Sequence, residues 1–158
     1  MYEELDPAKL EMLYSWIDGV PLSRPKKSLT RDFSDGVMVA ELLQHFLPKL
    51  VDMHNYSPAN SSSQKMNNWG VLQRRVFSKL KFAVPEPVVR SVCNCKPGVV
   101  EIVLLQLKAS CFYASTMLFS KYYFIYETES VSPTITYQRF QDASDTYLYR
   151  DCILSDID

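Results

Sequence analysis

Glycine and histidine are both scarce in this chain, and their scarcity narrows the chemistry it can perform. The 158 residues include four glycines, isolated at 19, 36, 70 and 98, so no glycine-rich loop is present to cradle a phosphate. The two histidines, His45 and His54, have no suitably spaced serine, cysteine or carboxylate that would suggest a nucleophile and its base. Catalysis is therefore disfavoured, and we expect no enzyme.

Cysteine is too sparse for a disulfide scaffold. The four cysteines stand at 93, 95, 111 and 152, a pattern typical of free thiols in an intracellular protein. Cys93 and Cys95 form a Cys-x-Cys pair, but this spacing is not that of common zinc fingers, and both histidines are distant in sequence. The sequence thus predicts no metal site and no cofactor.

Long uninterrupted apolar runs are also lacking. The longest apolar stretch, from Val99 through Phe119, is broken by Glu101, Gln106 and Lys108 and falls short of the roughly 20 residues that a membrane span requires. The N-terminus carries acids where a secretory signal carries basic residues. We therefore expect neither a membrane-spanning segment nor secretion.

Basic and acidic residues are nearly equal in number but separate along the chain. Between residues 19 and 110, thirteen Lys or Arg outweigh six acids, giving +7, whereas from residue 111 onward three basic residues face seven acids, giving −4. A basic body suits an acidic partner such as a tubulin lattice, a nucleic acid or an anionic membrane. The alternative interpretation is a solvated basic surface without a partner.

Hydrophobic periodicity predicts an all-α fold. Asp6 before Pro7 is typical of a helix start, and this first helix should end by Gly19 with Leu13 on its apolar side. The segment 20–33 contains two prolines, so it is predicted to be an ordered loop rather than a helix, with its basic residues facing solvent.

Four further helices are predicted, over 34–47, from about 62 to 80, over 85–93, and from 99 to about 121. Ser34 or Asp35 should cap the first of these. For Asp32 and Asp35, a place at a helix start favours capping over a role as paired catalytic carboxylates. In the next, apolar residues recur at intervals of three and four: Met66, Trp69, Leu72 (or Gln73), Val76 and Leu80. Gly70 is expected where another backbone passes close.

The last third of the chain differs in composition from the rest. Residues 111–158 hold eleven of the twenty aromatic residues and no glycine. The stretch 122–126 has the composition of a β-prone adhesive segment, and the Ser, Thr and Asp content beyond it predicts weak order. We therefore predict a helical domain over 1–110 and a weakly ordered or irregular tail over 111–158 that lacks coiled-coil heptads.

Five short motifs in a fixed order resemble those of a known family. They are Pro21-Leu-Ser-Arg-Pro-Lys26, Arg31-Asp-Phe-Ser-Asp-Gly36, Met53-His-Asn-Tyr56, Asn68-Trp-Gly70 and Pro97-Gly-Val-Val-Glu101. Together they resemble the calponin-homology domain, in the divergent, microtubule-associated branch represented by sperm flagellar protein 1. The resemblance covers roughly residues 10–108. It implies a single calponin-homology-like helical domain that acts on the cytoskeleton, in the cytoplasm and in the axoneme of a cilium or flagellum.

Three classes of binding partner remain, and the resemblance favours microtubules among them. Actin filaments are the alternative, although actin binding normally uses two such domains in tandem and this chain has room for one. A nucleic acid is disfavoured because no helix-turn-helix or stacking-aromatic signature accompanies the charge. The predicted contacts to an acidic partner are basic residues: Arg24, Lys26, Lys27, Arg31, Lys65, Arg74 and Arg75. Trp16 and Trp69 are predicted to pack in the core instead.

Overall fold

The computed structural model describes the backbone of residues 5–126 and the side chains of residues 5–115. The chain divides into two units, Met1–Phe112 and Tyr113–Asp158. The first contains the packed helices; of the second, the described part is the end of the last helix. The predicted domain boundary at residue 110 stays a prediction, and the predicted weak order beyond residue 126 concerns residues outside the described part.

The described residues form helices and no strand, which confirms the all-α prediction. The elements are α1 (Pro7–Asp18), α2 (Leu29–Asp32), α3 (Val37–Phe46), a 3₁₀ helix (Met53–Asn55), α4 (Ser62–Leu72), a π-helical turn (Gln73–Phe77), α5 (Glu86–Cys93) and α6 (Val99–Tyr126). Within this part of the chain, no helix combines the length and apolar character needed to cross a membrane.

Helix α1 begins and ends where its sequence predicts. The carboxylate of Asp6 accepts a hydrogen bond from the N–H of Ala8 at 3.0 Å, and Pro7 occupies the first helical position. This arrangement satisfies one free N–H and places the proline ring where no helical hydrogen bond is lost. Leu13 is completely buried, as predicted.

The segment 20–33 is not a continuous loop, because α2 lies within it. The Asp32 carboxylate accepts hydrogen bonds from the N–H groups of Lys27 and Ser28, both at 2.8 Å. These bonds fix the chain as it enters α2. The prediction that this segment contains no helix was therefore wrong, because α2 begins at Leu29, beyond both prolines.

Helix α3 begins at Val37, three residues later than predicted, because Gly36 adopts a φ of +78°. A side chain there would be strained, and its Cβ would lie 3.3 Å from Leu72 and 3.4 Å from the indole nitrogen of Trp69. Asp35, rather than Ser34, caps the helix: its Oδ1 accepts from the N–H of Val37 at 3.0 Å.

The third predicted helix is interrupted by a π-helical turn immediately after α4. The N–H of Ser78 donates to the carbonyl of Gln73 at 3.2 Å, five residues back. Val76 and Phe77 are buried in this turn, while Arg74 and Arg75 are exposed. The periodicity predicts a single regular helix to residue 80 and does not indicate the wider turn.

Gly70 does not lie against another backbone, so that prediction was also wrong. A Cβ at this position would meet the guanidinium of Arg74, whose Nη1 lies 3.1 Å away, and would meet no other described atom outside its own helical backbone within 4 Å. Gly70 thus makes room for the Arg74 side chain.

Helix α6 continues to Tyr126, about five residues beyond its predicted end. Its sequence contains no glycine or proline, and aromatic residues lower helix propensity only slightly, so nothing local stops a helix that has already formed. The interpretation of residues 122–126 as β-prone is therefore wrong for their backbone, which is helical.

One apolar cluster joins all these elements of the first unit. Trp69, 1% exposed, and the completely buried Phe33 and Phe77 are among its largest members. Trp16 packs at the edge of this cluster, stacked on Phe46 with ring centroids 5.3 Å apart. Both tryptophans therefore pack in the core, as predicted.

Candidate partner-binding surface

The carboxylate of Asp35 is buried at the centre of the domain, where it is paired and hydrogen-bonded. Its side chain is 4% exposed and forms a salt bridge with Arg24 at 3.0 Å. The same carboxylate accepts the capping bond from Val37 and a longer one of 3.4 Å from the N–H of Ala59. A buried carboxylate needs such partners, so Asp35 has a structural role that joins the proline-containing loop to α3 and to the 56–61 connection.

Ser34 extends this buried junction to α4. Its carbonyl accepts from the indole N–H of Trp69 at 3.0 Å, and its hydroxyl accepts from Lys65 Nζ at 3.0 Å. Asn68 lies beside them and donates to the carbonyls of Asp35, at 2.9 Å, and Ser57, at 2.8 Å. The motif at 31–36 is thus a polar junction that positions the surrounding helices.

Three of the seven predicted contact residues are held by bonds within the domain, and we call them the anchored set: Arg24, Lys26 and Lys65. Arg24 pairs with Asp35, and Lys65 also donates to the carbonyl of Cys93 at 3.3 Å. Lys26 pairs with Asp18 at 2.7 Å and leaves 29% of its side chain exposed. The loop's basic residues keep the predicted contact with solvent, since 37% of the Arg24 side chain is also exposed, but Arg24 and Lys26 are paired within the domain as well.

The other four predicted residues are exposed, and we call them the exposed set: Lys27, Arg31, Arg74 and Arg75. None of them forms a salt bridge with a carboxylate in the part of the chain that the structure describes. A partner can therefore approach these charges without displacing an internal carboxylate. Their long side chains are the ones available for contact.

Arg74 and Arg75 line a cavity that we call the basic cleft. Its volume is about 680 Å³, and it lies between the π-helical turn and the segment around the 3₁₀ helix. The residues that line it are Gln44, Pro48, Lys49, Leu50, Val51, Asp52, Met53, His54, Asn55, Tyr56, Arg74, Arg75 and Lys79. Four of these are Lys or Arg and one is a carboxylate, so the cleft carries positive charge.

Tyr56 connects the basic cleft to the core. The residue is 8% exposed and belongs to the apolar cluster, which fixes the 53–56 segment in place. Burial raises the pKa of the Tyr56 phenol above its usual value of 10.0, the positive charge of Arg75 opposes that rise, and Asp52 adds to it. Arg75 therefore faces the 52–56 segment closely enough to influence its electrostatics.

The structure brings together some of the predicted residues but not all. Arg24 and Lys65 converge on the Ser34–Asp35 junction, and Arg74 and Arg75 share the basic cleft. No described contact links Lys27 to that cleft. Lys49 and Lys79 also line the cleft. Lys79 was predicted to lie on the cationic side of its helix but not among the seven contacts, and Lys49 was not singled out.

The predicted absence of a metal site concerned the pair of cysteines before α6. Cys93 is buried, and the sulfur of Cys95 lies 3.9 Å from Lys65 Nζ, beside a cation rather than further metal ligands. Among the described residues, no group of three or more His, Cys, Asp or Glu side chains could hold a metal ion.

Comparison with known proteins identifies the domain. The profile of a family described as "CH-like domain in sperm protein" matches residues 13–109, which is more than half of the chain and includes most of the packed helices. The chain belongs to this family of CH-like domains. All five sequence motifs lie within or overlap the matched region, so the resemblance predicted from them is confirmed.

Curated relatives match the same region at high identity. Sperm flagellar protein 1 of Mus musculus is 56% identical over 108 residues, that of Xenopus laevis 55%, and that of Homo sapiens 54%. The match covers 68% of this chain but 46–47% of each relative. The CH-like chain therefore spans about half the length of the curated relatives it matches.

Proposed function

We propose that this CH-like domain is a non-enzymatic binding module of the cytoskeleton that attaches to microtubules, with cytoplasm and the axoneme of a cilium or flagellum as its place of action. The observation that carries the proposal is the exposed set, four predicted contacts that project from the domain and pair with no carboxylate of the described residues. A microtubule presents an acidic surface, and unpaired cations attract such a surface over several ångströms.

The names of the relatives support the same assignment. Proteins that share more than half of the aligned residues are called sperm flagellar proteins, and a flagellum is built around microtubules. Actin filaments are the alternative partner for a domain of this general class. The proposal favours microtubules because the similarity is to the sperm flagellar branch.

Co-sedimentation with two kinds of filament tests the proposal. The purified chain is pelleted with microtubules and, separately, with actin filaments over a range of salt concentrations. We expect it to pellet with microtubules and to be released as salt rises, because the Debye length falls from about 10 Å at 0.1 M to about 3 Å at 1 M ionic strength. Pelleting with actin alone, or with neither filament, would refute the microtubule assignment.

A further inference from the structure

The basic cleft has the charge and shape of a binding site rather than of an ordinary patch of surface lysines. Its three outward cations, Arg74, Arg75 and Lys79, come from a single turn and a half of chain and line one concavity of about 680 Å³. A cavity of this size accommodates a few residues of an extended peptide.

The π-helical turn holds these cations toward the cleft. Val76 and Phe77, which follow the two arginines directly, are completely buried and fix the backbone of the turn in the core. On the opposite wall, the buried ring of Tyr56 fixes the 53–56 segment in the same way. The two walls are therefore part of the folded core, so the cleft is formed before any ligand arrives.

The backbone groups of the cleft favour carboxylates over phosphates. Phosphate sites typically use free N–H groups, but those of the 3₁₀ segment are already bonded: His54 to the Asp52 carboxylate at 3.0 Å, Asn55 to the Asp52 carbonyl, and Tyr56 to the carbonyl of Met53. None of these three N–H groups is left for an incoming anion, so the side-chain cations are the groups that would hold it. The Asp52 carboxylate at the wall would repel a phosphate dianion more strongly than the single, spaced charges of an acidic peptide.

From these features we infer that the basic cleft is a binding site for a short carboxylate-rich peptide segment of a partner protein, held by Arg75 and Lys79 with Arg74 at its edge. This inference rests on the proposed function, because it makes the basic cleft the place where the acidic part of the microtubule surface binds. It adds that the site is local: charges elsewhere on the domain, including Arg31, are not part of it.

The test uses the full chain and a labelled oligoglutamate peptide, with oligoglutamine of the same length as the uncharged control, and measures binding by fluorescence anisotropy. We expect the chain to bind oligoglutamate in a salt-dependent manner and not to bind oligoglutamine. Each of Arg75→Gln and Lys79→Gln should weaken binding about three- to fivefold, and the double variant about tenfold, as expected for exposed ion pairs.

Lys9→Gln is the matched control, because it removes the same charge from an exposed residue of α1 that does not line the cleft. Its affinity for oligoglutamate should equal that of the unaltered chain. Three results would overturn the inference. Lys9→Gln could weaken oligoglutamate binding as much as Arg75→Gln does, or the Arg75→Gln, Lys79→Gln double variant could bind oligoglutamate fully. The unaltered chain could also fail to bind oligoglutamate. Tighter cleft-dependent binding of an oligonucleotide or an anionic lipid vesicle would also overturn it, by assigning the cleft to phosphate.

Co-sedimentation separates this inference from the proposed function. If the unaltered chain fails to pellet with microtubules, the proposed function fails, while the peptide measurement still decides whether the cleft binds carboxylates. If the chain pellets and the Arg75→Gln, Lys79→Gln double variant pellets equally well, the proposed function stands and the cleft is not the site that binds the lattice. Weaker pelleting of the double variant, with Lys9→Gln unchanged, supports both.

Discussion

The anchored set and the exposed set are chemically alike but differ in what their charges do. In the anchored set, Arg24 neutralises a buried carboxylate and Lys65 joins α4 to the Ser34 hydroxyl and to the end of α5. In the exposed set, Arg74 and Arg75 line the basic cleft. The net positive charge of the domain therefore exceeds the charge that is accessible to a partner, because part of it is already neutralised by internal pairing.

The largest effect is expected where the anchored set meets its buried carboxylate. Asp35→Ala removes the helix cap on Val37 and leaves Arg24 without its partner. We expect the free energy of unfolding to fall by about 3 kcal/mol, measured by urea denaturation, because several bonds to a buried charge are lost together.

The control for this change is Glu86→Ala, which breaks the exposed pair with Arg90 one helical turn away. It should cost less than about 0.5 kcal/mol, as exposed pairs of this spacing contribute little. Equal losses in Asp35→Ala and Glu86→Ala would contradict the buried, central role of the Asp35 carboxylate.

A smaller loss of stability is expected at Lys65. Lys65→Met keeps most of the length of the side chain but removes the bonds to the Ser34 hydroxyl and the Cys93 carbonyl. We expect a loss of about 1–2 kcal/mol in the free energy of unfolding. The affinity of the folded variant for microtubules should be unchanged. A clear drop in co-sedimentation at a temperature where the variant is folded would mean that Lys65 itself contacts the partner.

A gain in stability is expected at Gly70, next to the exposed set. A methyl group there would displace the Arg74 guanidinium, which is the flexible end of an exposed side chain and can move away. Gly70→Ala should therefore raise the free energy of unfolding by up to about 1 kcal/mol, through higher helix propensity. A measured loss would mean that the position of Arg74 over Gly70 is itself important for the fold.

An effect that is absent at neutral pH concerns the buried side of α5 and α6. Burial raises the pKa of Cys93 to about 11 and that of Cys111 to about 12, from the usual 9.0. Above pH 9 the unfolded chain loses thiol protons that the folded chain keeps, so stability is complete below pH 9 and declines as the pH rises toward 11. Denaturation of the unaltered chain and of Cys93→Ala at increasing pH checks this, and the variant should decline less steeply; equal slopes would exclude the Cys93 thiol as a cause.

The sequence predicted those features that depend on neighbouring residues. Asp6 and Pro7 specify the start of α1 through local capping, and the burial of Trp69 follows from its place in an apolar repeat. The motifs predicted the family because several of them occur in one order. The position of Asp35 as a cap was also predictable, since a carboxylate one or two residues before an apolar run is typical of helix starts.

Features that depend on distant residues were not predictable. Arg24 and Asp35 are eleven residues apart, and Lys65 and Ser34 are thirty-one apart, so nothing near either cation indicates that it is anchored. The π-helical turn was not predictable either, because apolar residues at intervals of three and four fit a regular helix equally well. Arg74 and Arg75, which line the basic cleft, belong to that turn. The four exposed contacts could therefore not be separated from the three anchored ones by sequence alone.

The most direct test of the account compares two double variants that each remove two positive charges. Arg24→Gln with Lys65→Gln alters the anchored set, and Arg74→Gln with Arg75→Gln alters the exposed set. We expect the Arg24, Lys65 variant to have a lower melting temperature but an unchanged affinity for microtubules at a temperature where it is folded. We expect the Arg74, Arg75 variant to co-sediment about tenfold more weakly and to keep its melting temperature. Equal weakening of microtubule binding by both folded variants would contradict it, because net charge alone would then determine binding.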